Sequence, residues 1–198
     1  MDSDLAESVA ALKDIFARRG LAVTFGKADA ARVDELRKSL RIPSRFRAFL
    51  ADADPTDVET VTPVERVRLF SSEKLAAEQL GYGVGADATP ANPGWRKSWI
   101  LIARSALLGD PYFLDVSKLD AEGDCPVYTS MTGTETIKPE LCASSFQQFL
   151  RILSTAMEVA TGFGEGLMDD DDEATFRAGA RRALERDGWR ACAGHPSC

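Results

Sequence analysis

The sequence is poor in histidine. Its single imidazole, His195, lies among the last few of 198 residues. Chain termini are usually weakly held, whereas a Ser/His/Asp or Cys/His site needs a geometrically fixed imidazole, so a His-based catalytic centre is not expected. Long apolar runs are also missing. None approaches the ~20 residues that a membrane span requires. The opening residues, MDSDLAESVA, carry neither the basic nor the apolar region of a secretory leader. The expected location is the cytoplasm, where the four cysteines stay as reduced thiols. Positive charge is in deficit: 24 Lys and Arg face 31 Asp and Glu, a net charge of −7. That sign repels phosphate backbones and argues against sequence-independent nucleic-acid binding. It serves solubility, and it would attract and steer a basic partner. There is no internal repeat.

What remains is ordinary for a globular protein, with 44% hydrophobic and 28% charged residues. Such content builds a core without disulfides or metals, and the length suits one domain with an extension.

Leu5, Val9, Leu12 and Phe16 recur at helical spacing up to Gly20, predicting an amphipathic helix over 4–18. Residues 21–25 are a short strand or extended connector. Val33, Leu36 and Leu40 mark a second helix. Pro43 opens a third, since proline suits a first helical turn; Phe46, Phe49 and Leu50 form its inner face, and Asp54-Pro55 ends it. Residues 57–70 predict two short strands around Thr62-Pro63. Ser71 or Ser72 caps a helix running to about Leu80. The Gly/Pro-rich stretch 81–94 reads as a long loop, a kind that is often functional or mobile. Strands are predicted at 99–103, 111–116 and 126–130, with a further one at 134–137. Ser144 or Ser145 opens a strongly amphipathic helix with Phe146, Phe149, Leu150, Leu153 and Met157 on one face, ended by Gly162. Beyond it come an acidic run, Asp169 to Glu173, and a helix near 172–187 with Phe176, Ala180 and Leu184 inward.

Several patterns invite chemistry and fall short of it. Cys192, His195 and Cys198 are suitable zinc ligands, but a structural site normally has four. Counting from Asp169, positions six and twelve are alanines where a calcium loop needs Gly and Glu. GYGVG lacks the preceding strand and following helix of a dinucleotide loop. No cofactor is expected. Asp110 and Asp115 read as a turn residue and a strand-end residue; the functional alternative is polar contact with a bound protein. Tyr82, Trp95, Trp99, Tyr112 and Tyr128 lie near loops and strand ends, where aromatics fill cores or serve interfaces. Tyr82 and Trp95 flank the long loop and are the two expected within a partner's reach.

From about residue 31 to 153 the order of motifs resembles the SMI1/KNR4, or SUKH, family. ARVDELRKSLRIPSRFRAFLADADP resembles its opening helix, Leu-Pro step and following helix. LFSSEKLAAEQLGYG resembles its strand leading into a short helix, and SWILIARSALLGDPYFLDVS its apolar strand, Gly-Asp turn and strand ending in Asp. CPVYTS and ASSFQQFLRIL resemble the next strand and closing helix. Departures are Asp52-Ala53-Asp54-Pro55 in place of an Asn-Gly turn, Phe46 where tyrosine is common, and a more apolar turn at Arg104 to Leu108.

The resemblance implies an α+β fold. A mixed, mostly antiparallel sheet of about five or six strands is flanked by helices, with N-terminal and C-terminal helical extensions. A domain over 1–165 (core about 31–160) would precede an acidic linker, helix and tail over 166–198. The resemblance further implies a non-enzymatic protein. It would be an immunity protein that neutralises a cognate polymorphic toxin domain by occlusion, acting as a monomer or weak homodimer; a regulatory scaffold for a signalling partner is the alternative. A basic nuclease is the toxin whose charge would suit this chain. The candidate contacts are Asp52, Asp54, Asp57, Glu59, Tyr82, Trp95, Asp110, Tyr112 and Asp115, with the 81–95 loop and the acidic run. An enzyme using Cys125 or Cys142 as nucleophile is a third reading, to be judged by thiol reactivity.

Overall fold

The computed structural model describes residues 1–62, 64–82, 92–133, 135–162, 174, 175, 178, 179 and 181–183. Helix α1 (Ser3–Arg18) starts where the Asp2 carboxylate accepts the Leu5 N–H at 3.0 Å, as an N-cap should. It buries Leu5, Val9, Leu12, Ile15 and Phe16. A short ribbon pairs β1 (Thr24–Gly26) antiparallel with β2 (Asp54–Thr56). Between them run α2 (Ala30–Leu40), capped by Asp29, and α3 (Ser44–Ala53), preceded by Pro43. Phe46, Phe49 and Leu50 of α3 are buried as their spacing predicts.

The main sheet is a five-stranded antiparallel meander. Its strands are β3 (Val67–Leu69), β4 (Trp99–Ser105), β5 (Pro111–Asp115), β6 (Val127–Thr129) and β7 (Glu140–Ala143), in that spatial order. Helix α4 (Ser72–Glu78), capped by Ser71, joins β3 towards β4. Helix α5 (Phe146–Val159) follows β7 and is capped by Ser145, which accepts from Gln148 N–H.

Two strand expectations need correction. The last strand is at 140–143, not 134–137. There the buried Cys142 and Ala143 give the chain an apolar pair to seat, while Glu135, Thr136 and Lys138 are exposed. The 57–70 segment contains one strand, β3, rather than two. Its other arm makes a single bridge, Glu59 with Arg68. Thr60 N–H donates to Val67 O and Leu69 N–H to Val58 O, both at 2.9 Å. That arm thereby covers the outer edge of β3, which would otherwise present unpaired backbone groups.

Both faces of β5 are buried. On one face Tyr112 meets Phe149 of α5 at 5.6 Å, and Phe146 meets Phe46 and Phe49 of α3 at 4.9 and 5.1 Å. Helix α1 lies along α5, adding a second helical layer. On the other face Phe113 sits among Trp99, Trp95 and Tyr128, with centroids at 4.7, 4.9 and 6.1 Å. The loop before β6 closes on α3 at Gly123. Its φ is +75°, and a Cβ there would meet Ser44 Oγ at 1.9 Å, so only glycine fits.

Residues 174, 175, 178, 179 and 181–183 are helical. Ala183 is buried, and a Cβ at Gly179 would lie 3.2 Å from Val159 Cγ1. This part of the expected C-terminal helix therefore packs on the end of α5. The acidic run 169–173, the side chains Phe176, Ala180 and Leu184, most of the 81–94 loop and the boundary near 165 lie outside the described residues. No helix among the described residues is long and apolar enough to cross a membrane.

Candidate functional site

A thiol nucleophile must ionise near neutral pH. Cys125 and Cys142 are both free and buried. Burial, followed by the negative charge of Asp124, Asp115 and Asp120, pushes the Cys125 thiol up to about 12. That is the opposite of activation, and the chain's one imidazole, His195, lies outside the described residues. No group of three or more His, Cys, Asp or Glu among the described residues is placed to hold a metal; Cys192, His195 and Cys198 fall outside them.

The candidate acids divide by burial. Asp52, Asp57 and Glu59 reach the surface, each against a cation of its own chain. Asp52 meets the N-terminal amine at 3.3 Å, Asp57 meets Lys74 Nζ at 2.7 Å, and Glu59 accepts from Arg68 Nε and Nη2 at 3.0 and 2.7 Å. The hydrogen bond and charge of Lys74 hold the Asp57 carboxyl below its usual range. Asp57 also occupies the left-handed region at φ 53°, which Asp tolerates in turns. Asp54 is buried. Its two oxygens accept from Ser72 N–H at 2.7 Å and Ser72 Oγ at 2.6 Å, tying the end of α3 to the start of α4.

Asp110 and Asp115 are buried too. Asp110 Oδ1 accepts from Thr132 N–H at 2.6 Å and Thr132 Oγ1 at 2.9 Å. It thus joins the β4–β5 turn to the stretch after β6, beyond its own turn. At Asp115 burial opposes ionisation, but hydrogen bonds from the Ser117 hydroxyl and N–H, with Ser98 and Trp99, hold the carboxyl below its usual range.

The aromatic candidates also divide. Trp95 is buried between Tyr82 and Phe113, and Tyr112 is buried against α5. Tyr82 is half-buried. Its hydroxyl donates to Gly109 O at 3.0 Å, and the Arg104 guanidinium lies 5.5 Å from its ring centre. The structure therefore brings Tyr82 and Asp110 to the same β4–β5 turn. It leaves Asp57 and Glu59 at the β2–β3 connection, and Asp52 near the start of the chain.

Sequence reasoning passed over Leu107 and Leu108 at the tip of that turn, although the apolar character of SALLGD was visible. It also missed three buried polar groups. Gln79 uses its amide to accept Leu101 N–H and donate to the Leu75 and Leu101 carbonyls. Glu65 accepts from Ser105 Oγ at 2.8 Å, and burial pushes its carboxyl up. Asp124 accepts the N–H groups of Cys125, Phe146 and Gln147 at 2.7, 2.9 and 3.2 Å, yet burial still raises its carboxyl. No periodicity in sequence marks such long-range polar pairing.

No curated protein matches the chain. The family model described as SMI1 / KNR4 family (SUKH-1) matches residues 27–152, more than half of the chain. The match runs from the residue after β1 into α5 and includes the whole five-stranded sheet, leaving α1 outside it.

Proposed function

Because the chain belongs to the SMI1/KNR4 (SUKH-1) family, we propose that it is an immunity protein that binds and neutralises a cognate secreted bacterial toxin in the producing cell's cytoplasm. It does so by covering the toxin domain and performs no chemistry of its own. The observation that carries this reading is the family match across the entire sheet and α2–α4. Support comes from the high-pKa, buried thiol of Cys125, which is unsuited to nucleophilic work. The net charge of −7 favours encounter with a basic domain such as a nuclease.

Co-expression with the toxin domain encoded beside this chain tests the reading. The expected result is restored growth of the host together with a stable complex of the two chains. Persisting toxicity at good expression, with no complex, overturns it.

A further inference from the structure

We propose that the β4–β5 turn is the anchor of the protein–protein contact, with Leu107 and Leu108 as apolar knobs that enter a socket on a basic protein domain. This rests on the toxin-binding reading and goes beyond it by moving the contact away from the acidic residues.

A Gly-Asp turn at a sheet end ordinarily presents polar side chains. This one carries Leu107 and Leu108 at 57% and 68% exposure, and Met131, next to Thr132, is 54% exposed. Isolated surface leucines need no explanation, but two adjacent ones held out at a fixed turn are the kind of exposed apolar feature that marks an interaction site. Tyr82 and Arg104 border the same turn, and Tyr, Arg and Met are the residue types enriched where interfaces bury most deeply.

The turn is also held still. Leu108 N–H donates to Ser105 Oγ at 2.9 Å, and Ser105 Oγ donates to the buried Glu65 carboxyl at 2.8 Å. Ser105 N–H reaches Asp110 O at 2.8 Å, and Ala106 N–H reaches Arg66 O at 2.7 Å. Tyr82 Oη donates to Gly109 O at 3.0 Å, and Thr132 Oγ1, whose one proton is shared with Asp110, lies 3.0 Å from Leu108 O. The backbone is thus bonded inward while the two leucines face water. A preformed knob loses little freedom on binding, which is where affinity is gained. The buried Asp110 and half-buried Tyr82 act here as positioning residues.

Charge selects the occupant. Beside the turn, on β4, Arg104 is matched by Glu78 at 3.1 Å. The chain as a whole carries −7. Long-range attraction of a basic domain and short-range apolar anchoring are then separate jobs done by separate surfaces, as charge mainly sets the association rate and partner choice.

The test uses the full chain and the purified toxin domain encoded beside it, with calorimetric titration as readout and thermal melting as the folding control. The expected result for L107D/L108D is an unchanged melting temperature with a dissociation constant raised about 100-fold or more. Leu107→Ala and Leu108→Ala, singly, should each raise it about 10-fold, and these milder variants decide the matter if the double variant is unstable. Asp57→Asn with Glu59→Gln should raise it less than either single leucine variant does. Leucine variants that bind like the parent overturn the anchor while leaving the toxin-binding reading intact. A parent chain that does not bind overturns both. Self-association of the parent chain in sedimentation, abolished by L107D/L108D, overturns the proposed occupant in favour of a second copy.

Discussion

Cys125 shows how a residue's chemistry is set by its surroundings. The thiol is buried beside three aspartates, and its proton is held until about pH 12. In the unfolded chain it leaves near pH 9. Between those values the unfolded state has lost a proton that the native state keeps, so stability falls as pH rises through this window and is unaffected below it. The slope from this one group is about 1.4 kcal/mol per pH unit at most. Chemical denaturation at pH 8 and pH 10 should show a smaller alkaline loss for Cys125→Ala than for the parent, since lysines and tyrosines titrate alike in both. An equal loss in the two would show that the thiol does not titrate as described.

Helix α5 owes its fixed start to a residue outside it. Ser145 caps one N–H, and Asp124, more than twenty residues earlier in sequence, accepts from Phe146 and Gln147 as well as from its neighbour Cys125. Removing that carboxylate strands buried donors at a helix N-terminus, where acceptors are scarcest. Asp124→Ala should therefore cost about 2–4 kcal/mol, read as a shift in urea midpoint. Asp124→Asn, which retains one acceptor oxygen, should cost less. If alanine were tolerated within ~0.5 kcal/mol, Asp124 would have no capping role. The same element shows what periodicity could and could not reveal. The stripe from Phe146 to Met157 was legible as a buried face, because a helix repeats every 3.6 residues. Asp124 was not legible, because its partners are set by how the loop carrying Gly123 closes onto α3.

At the scale of the whole molecule, net charge and the local charge map say different things. The chain is acidic overall, yet Asp52, Asp57 and Glu59 each sit against a cation of the same chain. Exposed pairs of this kind contribute little to stability and soften the local field. Long-range steering survives, because it depends on the summed charge. Association with the proposed basic partner should therefore slow about 10-fold or more between ~20 and ~300 mM salt while dissociation changes little. Stopped-flow mixing at several salt concentrations would measure this. An association rate indifferent to salt would remove steering from the account.

Local patterning in the sequence determined that this is an α+β chain with amphipathic helices over most of α1 to α5 and an apolar strand core at β4 and β5. Those features depend on neighbours a few residues apart. The tertiary structure alone decided that β7 forms at 140–143, that Asp54, Trp95, Asp110, Tyr112 and Asp115 turn inward, and that Leu107 and Leu108 are left outside. An aspartate at a turn, or a leucine in an apolar run, has the same local signature whether buried or exposed. Which occurs depends on what the chain brings against it from far away. Here Thr132 reaches Asp110, whereas Leu107 and Leu108 remain open to water.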